Sequence, residues 1–207
     1  MLIVTAPSGA GKTTIVRHLL KIFDNLSFSV SATTRPPREG EVEGKDYYFL
    51  TIRKFKNRIK KEAFAEWEEV YPNKFYGTLK SEIEKKWRKK KNVVFDIEVK
   101  GATNLKKLYG DQALAIFIKP PSLEELIRRL EKRDTENKKS LAERIARAKE
   151  ELTYENNFDK VLVNDQLEVA LKEAEEIVLD FMGKSAHAPI KPKKTKKKEK
   201  KRKKKED

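Results

Sequence analysis

Ala6-Pro7-Ser8-Gly9-Ala10-Gly11-Lys12-Thr13 is the stretch that decides the fold. It follows the apolar run Leu2, Ile3, Val4 and precedes Ile15, Leu19, Leu20 and Phe23, apolar residues that recur at helical spacing. Strand, glycine-rich loop and helix in that order make a P-loop of the form A/G-x-x-x-x-G-K-S/T, with Ala6 in the first glycine position. Gly9 and Gly11 let the backbone curl until its N–H groups face phosphate oxygens, and the helix N-terminus adds its positive end. Lys12 then sets an ammonium on the β- and γ-phosphates, and the Thr13 hydroxyl reaches Mg²⁺. The ATP-binding stretch therefore runs Ala6, Pro7, Ser8, Gly9, Ala10, Gly11, Lys12, Thr13 and Thr14. Switches, motors and kinases all use such a loop, so it leaves the reaction open.

Working outward, short apolar runs recur at 2–4, 93–95, 114–118 and 161–163, with helically spaced stretches between them. That alternation predicts an α/β fold of three layers around a parallel sheet. Leu167, Ala170, Leu171, Ala174, Ile177, Val178 and Phe181 make one stripe of a final helix, while Ser122-x-x-Glu125 and Ser140-x-x-Glu143 read as capping boxes opening two others. Residues 32–80 break the rhythm with strand-like pieces at 47–50, 65–70 and 75–78 around a helix near 52–61, and read as an inserted small α/β subdomain. The expected division is a P-loop core of 1–31 and 81–182, the insertion 32–80, a lid near 134–139 and a disordered basic tail 183–207.

Charge at first suggests a nucleic-acid binder, since Lys and Arg number 48 against 33 Asp and Glu, a net +15. Position corrects this, because residues 184–207 alone hold 13 basic and 3 acidic residues, leaving only +5 on the rest. The run 193–205 is compatible with a salt-dependent contact to RNA, DNA or an anionic membrane surface, and equally with a solvating appendage or, in a nucleated cell, a localisation signal. No Cys and two His exclude a disulfide framework, a thiolate metal site and a His-rich metal site, in keeping with a reducing, cytoplasmic location. No apolar run approaches the roughly 20 residues of a membrane-spanning helix.

Ser31-Ala32-Thr33-Thr34-Arg35-Pro36-Pro37-Arg38-Glu39-Gly40-Glu41 and Gly44-Lys45-Asp46-Tyr47-Tyr48-Phe49 resemble the signature of guanylate kinases. The resemblance continues, in order, through Phe64-Ala65-Glu66-Trp67, Phe75-Tyr76-Gly77-Thr78, Phe95-Asp96-Ile97-Glu98-Val99-Lys100-Gly101 and Val163-Asn164-Asp165. It implies an ATP:GMP phosphotransferase in which Arg35, Arg38, Tyr47 and Tyr76 hold the GMP phosphate and Ser31, Glu66 and Thr78 read guanine. Chemistry agrees: a carboxylate accepts from both guanine N1–H and N2–H and a hydroxyl donates to O6, whereas adenine turns an acceptor toward Glu66. Two arginines around Pro36-Pro37 suit a dianionic phosphate.

Asp96 closes the run 93–95 beside the P-loop, where an acidic residue orients Mg²⁺ or substrate, and Glu98 is expected two residues on along the same strand face. Arg128, Arg129, Arg133, Arg144 and Arg147 flank the polar stretch 134–139, read as the lid. The resemblance singles out Arg133 and Arg144 as phosphate contacts and sets Arg129, Asn164 and Asp165 near the adenine; Arg128 and Arg147 read as a solvated helix face. Asp134, Lys100 and Ala6 depart from the family's usual Gly, Gln and Gly. Two other readings use the same residues, a non-catalytic protein-binding module and a phosphotransferase for a sugar phosphate.

Overall fold

The computed structural model describes residues 1–132 and 138–185. At its centre lies β1 (Leu2–Thr5), four consecutive buried residues. A strand apolar on both faces belongs in the middle of a covered parallel sheet. It pairs in parallel with β7 (Asn92–Asp96) on one side and β8 (Leu114–Lys119) on the other. β2 (Leu26–Phe28) and β9 (Lys160–Val163) complete the order β2-β7-β1-β8-β9. All four pairings are parallel.

Alternation along these strands builds two apolar layers. Leu2, Val4, Val94, Ile116 and Leu162 pack with Ile15 and Leu19 of α1 (Lys12–Ile22) and with Ala170, Ala174 and Val178 of α7 (Leu167–Ser185). Ile3, Val93, Phe95 and Ala115 pack with Ile83 of α3 (Lys80–Arg88) and Ala102 and Leu105 of α4 (Val99–Tyr109). Fully burying each large side chain contributes about 1.5–3 kcal/mol, so the core needs no charge pattern to hold β1 in place.

A second sheet runs β4-β3-β6-β5, from β3 (Ser31–Thr33), β4 (Tyr47–Phe49), β5 (Phe64–Tyr71) and β6 (Lys74–Leu79). Pro72 and Asn73 turn β5 into β6; proline presets the first corner and Asn73, at φ 61°, takes the left-handed second. One side of this sheet presents Ala32, Phe64 and Phe75 to Phe55 of α2 (Ile52–Lys60), with the Phe55 and Phe64 rings stacked at 4.3 Å. The register shift between Phe64 and Glu66 lets these two residues of equal parity face opposite sides, so Glu66 points away from α2.

Several sequence expectations change. The three-residue strands β2 and β3 were not anticipated, because neither carries a periodic apolar signal. Ser122 does cap α5 (Leu123–Lys132), accepting from the Glu125 amide at 3.1 Å, but Ser140 lies inside α6 (Lys138–Leu152), which starts two residues earlier. Leu167 opens α7 yet is 36 % exposed, so the buried stripe begins one turn later at Ala170. Arg133, Asp134 and the tail beyond Ser185 lie outside the described residues. Among the described residues no helix is long and apolar enough to cross a membrane.

Candidate active site

The loop between β1 and α1 holds both left-handed glycines the motif requires, Gly9 at φ 93° and Gly11 at φ 94°. A side chain on Gly11 would meet the Asn164 amide nitrogen at 2.2 Å. That amide donates to the Ala10 carbonyl at 2.8 Å, and Asn164 is buried. Asn164 therefore buttresses the loop from beneath. No side chain caps α1, which leaves its first N–H groups facing the loop's concavity.

Lys12 donates to the Ile97 carbonyl at 2.9 Å and pairs with Asp96 at 2.9 Å. Burial lowers the ammonium's pKa, but Asp96 and Glu98 more than offset this and the net shift is upward. Thr13 donates to the second Asp96 oxygen at 3.3 Å. Asp96 is the last residue of β7, whereas Glu98 is not on the strand as expected: the Ile97 amide closes on Val4 at 3.3 Å and the chain turns, leaving Glu98 as the residue before α4. Both carboxylates still face one recess.

That recess, about 60 Å³, is lined by Lys12, Ser31, Tyr47, Glu66, Tyr76 and Asp96 among others. At Tyr76 and Glu98 it joins a wider cavity of about 480 Å³, whose wall carries Ser8, Arg35, Arg38, Arg144 and Arg147. Residues distant in sequence thus form one continuous cleft, narrow and carboxylate-lined at one end, wide and cationic at the other. Arg144 donates to the Ser8 hydroxyl at 3.2 Å.

At the narrow end Thr78 donates to Glu66 at 2.7 Å and is itself fully buried, so it orients the carboxylate and does not line the recess. A side chain on Gly101 would come within 2.6 Å of the other Glu66 oxygen, so only glycine leaves that oxygen room. Burial pushes the Glu66 carboxyl up to about 7. Its folded value lies above the unfolded one of 4.5, so the stability it contributes is full below about 4.5 and is lost as pH rises through about 7. Glu66→Gln is neutral throughout. Its melting temperature relative to the parent is therefore expected to rise between pH 5 and pH 8 in thermal scans; a constant difference would contradict this.

Arg35 grips Glu41 through both terminal nitrogens, at 2.6 and 2.5 Å, and lies 4.9 Å from the Tyr47 ring centre. Arg35 in turn pulls the Glu41 carboxyl down to about 2, and Glu41 also accepts from the Arg38 amide at 2.7 Å. Glu41 thus fixes the guanidinium that the sequence assigned to phosphate, a role its position in the motif did not reveal. Tyr47 and Tyr76 meet edge to face at 6.1 Å, and burial raises the Tyr47 pKa, keeping its hydroxyl a neutral donor. Arg129 pairs with Glu125 at 2.7 Å on its own helix, as does exposed Arg128. Arg147 is not the solvated residue expected: its side chain is 21 % exposed and bonded into the cleft wall.

Comparison with known proteins gives this geometry a context. The guanylate kinase family model matches residues 1–180. The guanylate kinase of Bacteroides thetaiotaomicron is 49 % identical over 89 % of this chain and 90 % of its own length. That of Porphyromonas gingivalis is 46 % identical over 89 % of this chain and 98 % of its own. Among solved structures, guanylate kinase from Anaplasma phagocytophilum superposes with a TM-score of 0.69 at 29 % identity, covering 87 % of this chain and 84 % of that one.

Proposed function

The chain belongs to the guanylate kinase family, and on that premise we propose how its residues carry out the family's reaction, transfer of the γ-phosphoryl group of ATP to GMP to give ADP and GDP. Guanine enters the narrow recess, where Glu66 accepts from N1–H and N2–H, Ser31 donates to O6 and Thr78 holds Glu66 in line. The GMP phosphate then lies where the recess opens into the wider cavity, with Tyr47 and Tyr76 on the recess side and Arg35 and Arg38 on the other. ATP lies along the P-loop with Lys12 on its β- and γ-phosphates and Arg144 beside Ser8 closing on the transferring group. The acceptor is already an anion at neutral pH, so the protein needs no covalent intermediate and no general base; its task is positioning and charge neutralisation. Arg133 is assigned to the same phosphates on the family resemblance alone.

The Thr13 hydroxyl and the Asp96 carboxylate, hard oxygens 3.3 Å apart, are the residues that would hold a Mg²⁺ ion. When bound it would neutralise charge on the β- and γ-phosphates. The division into core, GMP-binding insertion 32–80, lid and tail is part of the same reading, as is a place in cytoplasmic purine nucleotide metabolism.

The observation that carries this reading is that the recess holding Glu66 and Lys12 shares Tyr76 and Glu98 with the arginine-lined cavity that holds Ser8 of the P-loop. Its test is steady-state ADP formation from MgATP with GMP, AMP, CMP and UMP as acceptors. GMP alone is expected to stimulate turnover strongly; equal stimulation by another monophosphate overturns the base assignment.

A further inference from the structure

Arg147 lies one helical turn beyond Arg144, and its guanidinium is committed on every edge. Nε donates to Glu151 at 2.8 Å, one terminal nitrogen to the Val70 carbonyl at 3.0 Å and the other to Glu98 at 3.2 Å. Its planar face lies 5.3 Å from the centre of the Tyr71 ring. These partners belong to three separate parts of the fold. Glu151 is on α6, Val70 and Tyr71 end β5 of the small sheet, and Glu98 leads into α4 of the core.

We propose that Arg147 is a positioning residue for the acceptor nucleotide, a clasp that ties α6, the end of β5 and Glu98 together and so sets the spacing between the base recess and the P-loop. The proposal rests on the GMP site described above. A planar fork with three differently aimed donors and a stacking face is what the arrangement uses, and a lysine supplies only a point charge on a flexible stem. Glu98 lines both the narrow and the wide part of the cleft, so holding its carboxylate shapes the passage between them. Among the described residues the other Glu151 oxygen is buried without a hydrogen-bond partner, and the bond to Arg147 is the one these residues give this carboxylate. Each guanidinium nitrogen of Arg147 is anchored on a protein acceptor, so its effect on the nucleotide is routed through Glu98 and β5, even though its side chain also lines the wide cavity.

The test is steady-state kinetics on Arg147→Gln, Arg147→Lys and Glu151→Gln, with melting temperatures measured alongside. Both Arg147 variants are expected to raise KM for GMP about tenfold, with kcat at saturating substrates and KM for ATP changed less than about threefold. Glu151→Gln, which keeps the guanidinium but weakens one arm, is expected to raise KM for GMP by about two- to fivefold. If Arg147→Gln fails to fold, the double variant Arg147→Gln/Glu151→Gln removes the stranded carboxylate and is expected to show the same rise. Full recovery in Arg147→Lys would make charge alone sufficient and overturn the clasp, as would a loss confined to kcat or an unchanged KM for GMP. Glu66→Gln distinguishes the two levels: if it alters GMP use while the Arg147 variants do not, the GMP site stands and the clasp falls.

Discussion

Lys12→Met is expected to lower kcat by about 10³-fold or more, some 4 kcal/mol of transition-state stabilisation, while GMP affinity measured calorimetrically changes little. Methionine keeps the length of the side chain and loses the charge. In the structure the ammonium is held at 2.9 Å from both the Ile97 carbonyl and Asp96, so it is fixed at the end of β7, facing the recess, before any phosphate arrives. Such a preset charge costs no reorganisation when negative charge migrates between two phosphates. The base-reading residues proposed above, Ser31 and Glu66, lie on the other sheet, so removing the Lys12 charge is expected to leave them in place. A kcat within tenfold of the parent would remove Lys12 from the catalytic role.

Glu66→Gln is expected to lower kcat/KM for GMP by about 10²-fold and to narrow the preference for GMP over AMP by a similar factor. The amide turns a donor toward one of guanine's two donors and leaves one of them unpaired in a recess of about 60 Å³. The Thr78 hydroxyl, 2.7 Å from one oxygen of Glu66, orients whatever occupies position 66, and burial limits how far the variant can swing aside to relieve the mismatch. Initial rates with GMP and AMP over a range of concentrations check both numbers, and an unchanged ratio would show that guanine is read elsewhere.

The phosphate loop was legible because everything it needs lies within about ten consecutive residues, and the four runs that became β1, β7, β8 and β9 were legible because strands buried on both faces read as uninterrupted apolar stretches. β2 and β3 escaped notice since Leu26-Ser27-Phe28 and Ser31-Ala32-Thr33 mix polar and apolar residues and make no apolar run. Within the cleft, Arg35, Glu66 and Tyr76 could be named from a motif, as could Tyr47 and Thr78 beside them, but the clamp of Glu41 on Arg35 could not. Arg147 reads as an ordinary charged helix position until Val70 and Glu98, 77 and 49 residues away, are brought against it. The resemblance sets Asn164 near the adenine, and nothing in the sequence signals that its amide also bonds the Ala10 carbonyl across 154 residues. Ser140 misled because a capping box is a statement about two residues, and the helix had already begun at Lys138.

The central position of β1 carries a consequence for assembly. Its partners are β7 and β8, whose residues lie about a hundred positions further along the chain. During synthesis the first strand therefore waits, unpaired, until both have been made, and long-range parallel pairing of this kind is slow to form. The β5–β6 hairpin, closed by two residues and backed by Phe55 of α2, needs only neighbours and can assemble first. The part of the molecule that recognises the acceptor would then be built before the part that binds the donor.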